Sequence, residues 1–129
     1  MVTVSATIDR PVKAVWDYFT TISNWSKWYG GGLKEVTPTW QRGAKLVWAL
    51  GGASPLTEFI PGQEICLSGA WMDTTYKFIP EGNSVTIVKV IESDPKGGAS
   101  FNDGGAAHKA QWEKTLQKLK KSIENETSA

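Results

Sequence analysis

The sequence predicts an α+β fold in which an antiparallel sheet of about seven strands packs around one long C-terminal helix. The run from Asp103 to Glu126 is its only long helical pattern, and one face of that run is apolar. Between Leu33 and Asp94 the apolar residues instead alternate in short runs separated by turns. Connections this short join antiparallel strands, because a parallel crossover needs about a dozen residues or more. The members of the apolar helical face are His108, Trp112, Leu116, Leu119 and Ile123.

Length, charge and cysteine content restrict the class of protein. A chain of 129 residues is expected to form one domain, spanning 1–129. The formal net charge of +1 gives no electrostatic reason to expect nucleic acid as a partner. The single cysteine, Cys66, excludes an intrachain disulfide and a cysteine-rich metal site. No apolar run approaches the roughly 20 residues that span a bilayer, so we expect a cytoplasmic protein with no membrane partner.

The first third of the chain predicts a strand followed by two short helices. Residues 2–9 alternate between apolar and polar, as in a half-buried strand. Pro11 stands at the position that proline favours at the start of a helix. The apolar side of that helix contains Trp16 and Phe19. Trp25 and Trp28 are three residues apart, which predicts a second short helix ending at the glycines of residues 30–32.

The middle of the chain predicts six further strands and then a glycine-rich loop. The predicted strands are Leu33 to Trp40, Ala44 to Leu50, Leu56 to Ile60, Glu64 to Trp71, Thr74 to Ile79 and Val85 to Ser93. The loop, residues 94–105, leads into the long helix, and its glycines would allow it to act as a lid.

This order of elements, together with the local sequence patterns, resembles the START-like, or SRPBCC, helix-grip superfamily. The resemblance lies in IDRPVKAVWDYFTTISNWSKWYGG after the first strand, in LTEFIPGQEICLSG, in TTYKFIPEGNSVTIVKVIESD, and in the C-terminal helix with Trp112 and its leucines. Within the superfamily it is similar to the polyketide cyclase/dehydrase and heat-shock ATPase activator homologue groups. The resemblance implies a curved sheet that grips the long helix and leaves a cavity for an apolar ligand. A shared fold does not by itself assign a reaction.

Several aromatic side chains are candidates to line that cavity. In a helix-grip fold the second helix, the sheet and the long helix surround the void, and flat aromatic walls suit a small-molecule pocket. Each of these residues could instead pack in the core, where we also expect Trp16. The candidate ligand contacts are Trp28, Trp48, Trp71, Tyr76, Phe78, His108 and Trp112.

The candidate catalytic residues are His108 and Glu92. If Lys89 points to water, the alternation of the last strand sends Glu92 inward, towards the start of the long helix. A histidine and a carboxylate at a cavity mouth can act as an acid–base pair or anchor a ligand. The alternatives are a partly exposed histidine and a solvated carboxylate at a strand end. A lone histidine lacks the ligands that a metal needs, and we expect neither a metal nor another cofactor.

Two further expectations concern the sheet surface. With Lys89 outward, Val85, Ile87 and Ile91 also face outward, and such a row predicts coverage by a second subunit in a homodimer. Glu58 alternates with Leu56 and Ile60 and should share their face, although the sequence does not say which face is buried.

Three functions remain open from the sequence. The first is binding of a small hydrophobic ligand, aromatic or lipid-like, in the cavity. The second is a polyketide cyclase/aromatase-like or hydrolase-like enzyme that uses His108 with a carboxylate. The third is a protein-interaction module similar to the heat-shock ATPase activator homologues. The chain contains no nucleophile motif or phosphate loop that would favour the second.

Overall fold

The computed structural model describes residues 2–69, 72–93 and 106–126, and it confirms the predicted α+β helix-grip architecture. In these ranges seven strands form one antiparallel sheet, in the order β1-β7-β6-β5-β4-β3-β2. The elements are β1 (Val2–Ile8), α1 (Val12–Phe19), a 3₁₀ helix (Ile22–Lys27), β2 (Leu33–Thr37), β3 (Lys45–Trp48), β4 (Ala53–Ile60), β5 (Glu64–Ser68), β6 (Asp73–Glu81), β7 (Val85–Ser93) and α2 (Ala106–Glu126). None of the helices described is both long and apolar enough to cross a lipid bilayer.

The long helix α2 lies against the sheet through the apolar face that its spacing predicts. Trp112, Leu116, Leu119 and Ile123 are all buried, and α2 contacts β1 along its length. Its C-terminal end is tied to the start of the chain, because the Glu124 carboxylate accepts a hydrogen bond of 2.8 Å from the backbone N–H of residue 9. These contacts fix the position of α2 over the sheet.

A cluster of aromatic rings fills much of the space between the sheet and the short helices. Phe19 lies at its centre, with ring centroids 4.9 Å from both Trp25 and Tyr76 and 5.0 Å from Phe78. Trp28 packs on the same ring at 5.5 Å. Many of the aromatic residues of the chain therefore form the packed core.

Several strand boundaries differ from the predicted ones. The strand predicted over Ala44 to Leu50 ends at Trp48, and Leu50 is 86% exposed in the turn that follows. The strand that begins at Leu33 ends at Thr37, because Pro38 has no N–H to donate to a sheet.

The prediction that Glu58 shares the face of Leu56 is wrong. The pairing of β4 with β5 shifts register between these two residues, as at a β-bulge, and this separates their orientations. Leu56 is buried, whereas Glu58 is partly exposed and lies 3.4 Å from Arg42 in an ion pair.

The alternation of β7 agrees with the prediction at every position. Thr86, Val88, Val90 and Glu92 are buried, and the residues between them are partly exposed. The strand lies between β1 and β6, so each of its inward side chains has a neighbour on both sides.

Candidate functional site

The carboxylate of Glu92 is the centre of the candidate site. Glu92 is 6% exposed, and it is the one charged side chain among the buried residues of the described part of the chain. It stands near the end of β7, directly across from Thr74 on β6. The alternation of β7 alone sends this side chain inward, towards the first turns of α2.

Three side chains contact this carboxylate, and two of them are hydrogen-bond donors. Thr74 Oγ1 donates to Glu92 Oε2 at 2.5 Å. The indole Nε1 of Trp112 donates to Oε1, and Nε2 of His108 contacts the same oxygen. His108 and Trp112 reach it together because residues four apart share one face of a helix. Their contacts join α2 to the middle of the sheet through one buried charge.

Two cavities meet at Glu92. The sheet-side cavity, of about 250 Å³, lies towards Trp48, Ser54 and Leu67, and Tyr76 is part of its wall. The helix-side cavity, of about 320 Å³, is bordered by His108, Gln111, Trp112 and Thr115. Tyr29, Thr74 and Glu92 line both cavities. A ligand in either cavity would therefore contact the same carboxylate.

Aromatic rings enclose the carboxylate on several sides. Tyr29 stacks on Trp48, with ring centroids 5.2 Å apart and planes at 28°. Trp112 lies 6.5 Å from Tyr29 and 5.9 Å from Tyr76, measured between ring centroids. Trp48 is held in place by the hydrogen bond that its Nε1 donates to Ser54 Oγ at 2.9 Å. The walls are thus large, flat and positioned by polar contacts.

The site has few titratable side chains. Apart from the tyrosines, its titratable lining residues within the described ranges are Glu92 and His108, and no lysine or arginine lines either cavity. Burial raises the pKa of the Tyr29 hydroxyl, and the negative charge of Glu92 raises it further. Burial likewise places the pKa of Tyr76 well above its ordinary value, with smaller contributions from Tyr29 and Glu92. Both hydroxyls therefore stay neutral donors at ordinary pH.

The structure brings together five of the residues that the sequence predicts for the site. Trp48, Tyr76, His108 and Trp112 border the cavities, together with Glu92. Their roles in binding or catalysis remain predictions.

Two further predicted ligand contacts, Trp28 and Phe78, lie in the core. Trp28 is 2% exposed in the aromatic core, and Phe78 packs on Trp16 and Phe19. Neither of them lines the two cavities, because the core around Phe19 takes up their rings. Trp71 lies outside the described residues, as does the loop of residues 94–105 that we predicted to be a lid.

Tyr29, Thr74 and Ser54 line the site but were not predicted. Thr74 carries a usable signal, because strand pairing places it beside Glu92 once the hairpin of β6 and β7 is recognised. No sequence signal identifies Tyr29 or Ser54, because their positions at the site depend on how the 3₁₀ helix and the turn before β4 pack. In the described residues, no three histidine, cysteine or acidic side chains cluster so that they could hold a metal ion.

Comparison of the chain with protein families agrees with this geometry. A family model described as "Polyketide cyclase / dehydrase and lipid transport" matches residues 1–124. The chain belongs to this family. The match covers nearly the whole sequence, including both β7 and α2, which contribute Glu92, His108 and Trp112 to the site. No curated protein matches the sequence of this polyketide cyclase/dehydrase family member significantly.

Solved structures share the fold of this family member at low sequence identity. A conserved protein of unknown function from Enterococcus faecalis is 16% identical with a TM-score of 0.78, and the match covers 98% of this chain and 72% of that one. The Aha1 dimer from Colwellia psychrerythraea is 17% identical with a TM-score of 0.73, over 98% of each chain. CalU16 from Micromonospora echinospora is 15% identical with a TM-score of 0.74, over 94% of this chain and 74% of that one. These likenesses establish the fold alone.

Proposed function

We propose that this protein binds a small, largely aromatic molecule in the two cavities that meet at Glu92. The observation that carries the proposal is a buried carboxylate, held by Thr74, Trp112 and His108, at the point where both cavities open. Small-molecule sites commonly combine apolar walls with a few fixed polar groups of this kind. The rings of Trp48 and Tyr76 supply apolar area, and the carboxylate supplies orientation.

The size of the cavities favours a compact ligand over a long acyl chain. Ligand pockets commonly measure about 300–1,000 Å³, and the two cavities here measure about 250 and 320 Å³. The space beyond them is occupied by Phe19, Trp25 and Trp28. A lipid-like ligand, which the family description also suggests, would need more volume than these two cavities provide.

Tryptophan fluorescence provides the test, since Trp48 and Trp112 border the cavities. We expect compact aromatic compounds to quench the emission saturably in the wild type and more weakly in His108→Ala. Glu81→Gln is the matched control, because Glu81 is an exposed residue at the opposite end of the β6–β7 hairpin. If neither aromatic nor lipid-like compounds alter the emission, the binding function is wrong and a protein-interaction function replaces it.

Catalysis is the second candidate, and the contact between Glu92 and His108 favours it. A carboxylate that holds an imidazole can orient it as a general acid or base, as a polyketide cyclase/aromatase-like reaction needs. The check is to incubate wild type and His108→Gln with poly-β-ketone mimics and follow the products by mass spectrometry. We expect loss of water from the mimic with the wild type only. An unchanged mimic in both samples would contradict catalysis and leave binding intact.

We also propose that the protein forms a homodimer through the outer face of β7. Val85, Ile87 and Ile91 lie there partly exposed, in a row that water does not favour. The solved Aha1 dimer of the same fold supports the idea without specifying the interface.

A further inference from the structure

We propose that the site at Glu92 selects a cationic ligand: a compact amine or quaternary ammonium group seated against the aromatic rings beside the carboxylate. The inference rests on the proposed binding function and adds the sign of the ligand's charge. It is carried by the charges that line the cavities and by the rings that surround them.

Glu92 is the one acidic side chain among the described residues that line the two cavities. Its donors Thr74 and Trp112 are neutral, and neutral donors stabilise a carboxylate anion without cancelling its charge. His108 would cancel the charge only when protonated, and no lysine or arginine of the described chain lines either cavity. An anionic ligand would therefore meet uncompensated repulsion in a partly desolvated space, whereas a cation would be attracted.

The aromatic walls favour the same sign. An aromatic ring carries partial negative charge on its faces, so a cation within about 6 Å of a ring centroid is attracted to it. Tyr29, Trp48 and Tyr76 all border the sheet-side cavity, and Trp112 borders the helix-side cavity. Aromatic cages recognise quaternary ammonium groups such as choline in other proteins. The 250 Å³ of the sheet-side cavity suits such a compact head group.

The test compares ligands that differ in charge and hardly in shape. Choline and benzyltrimethylammonium are titrated into the wild type by calorimetry, each against its uncharged isostere with tert-butyl in place of trimethylammonium. We expect each cation to bind about tenfold more tightly than its isostere, as a cation–π contact near a carboxylate permits. Equal or tighter binding of the neutral isosteres overturns the proposal, and so does absence of binding by both cations at millimolar concentration. Because this comparison uses only the wild type, it does not depend on a variant that folds.

A variant then assigns the preference to Glu92. Glu92→Gln removes the charge while keeping the length of the side chain, and we expect it to reduce the ratio of cation to isostere affinity at least fivefold, towards one. Glu81→Gln makes the same change in net charge far from the cavities and should leave the ratio unaltered. A ratio that persists in folded Glu92→Gln contradicts the assignment. If neutral aromatic compounds quench the fluorescence while the cations fail to bind, the binding function stands and only the charge preference falls.

Discussion

Burying the carboxylate of Glu92 costs free energy that its three side-chain contacts must offset. An ionised group removed from water is strongly disfavoured unless it is hydrogen-bonded, and an interior of this size offers few donors. Thr74, Trp112 and His108 come from two different elements, so the carboxylate is stabilised only when α2 is docked on the sheet. At the scale of single residues, Glu92 therefore couples the site to the fold.

A double-mutant cycle measures this coupling. Trp112→Phe removes the indole N–H that contacts Glu92 while it keeps an aromatic ring in the same place. Combined with Glu92→Gln in urea unfolding, it should show an interaction energy of about 1.5–3 kcal/mol, as for a hydrogen bond to a charged group.

The control cycle replaces Trp112→Phe by Trp28→Phe. Trp28 is also buried, but its Nε1 has no hydrogen-bond partner among the described residues, so its coupling to Glu92 should be close to zero. Equal coupling energies in the two cycles would show that the Trp112 contact contributes nothing specific.

At the scale of elements, α2 is held to the rest of the protein at both of its ends. His108 and Trp112 attach its start to the sheet through Glu92. At its other end, the Glu126 carboxylate accepts hydrogen bonds from Tyr18 at 2.9 Å and from Lys27 at 2.5 Å. Burial and the bond to Glu126 raise the pKa of Tyr18 to about 12. Between these two attachments, the helix packs through Leu116, Leu119 and Ile123, and Lys120 donates a hydrogen bond of 2.7 Å to the carbonyl of Thr7.

The attachment of Glu124 predicts a pH dependence of stability. The backbone N–H of residue 9 and the Lys120 side chain lower the pKa of Glu124 below its ordinary value of 4.5. A lowered folded-state pKa stabilises the fold above pH 4.5, and this contribution is lost as the pH falls through the folded-state pKa. Glu124→Gln should therefore reduce the unfolding free energy by about 1 kcal/mol at pH 7 and by less at pH 3.

Urea unfolding between pH 3 and pH 7 checks this, with Glu113→Gln as the control on an exposed position of the same helix. A constant difference between Glu124→Gln and wild type across that range would contradict the assignment. So would an equal effect of the control.

At the scale of the whole molecule, the two faces of the sheet serve different purposes. The inner face holds α2, the aromatic core and the cavities, and the outer face of β7 carries partly exposed aliphatic side chains. Ile79 of β6 pairs with Ile87 and extends this row across the hairpin, and it is itself 40% exposed. The proposed dimer interface and the proposed ligand site would therefore lie on opposite faces of one sheet.

Sedimentation velocity tests the dimer. We expect association that increases with protein concentration in the wild type and is lost in Ile87→Lys, because a charge at the centre of the apolar row must be desolvated on association. Leu50→Lys is the control, since Leu50 is exposed in the turn after β3, away from that row. A monomer at every concentration would remove the argument, as would equal dissociation of both variants.

The sequence by itself determined the architecture, because the helical and the strand periodicities of its apolar residues identify the elements. The spacing of Trp112, Leu116 and Leu119 identifies the buried face of α2, and alternation along β7 places Glu92 inside. Since His108 shares the face of Trp112, the sequence also led us to predict that His108 lies near Glu92, a contact that requires α2 to dock on the sheet. The two periodicities are local, so each is encoded within a few neighbouring residues.

Only the tertiary structure decided how the interior is divided between core and cavity. Trp28, Trp48, Phe78 and Trp112 have similar local patterns, yet two of them pack around Phe19 and two border the open end. The register shift beside Glu58 likewise depends on pairing with β5, which no property of β4 specifies. Whether an aromatic ring packs in the core or borders a cavity depends on the combined volumes of all its neighbours, and those neighbours are distant in sequence.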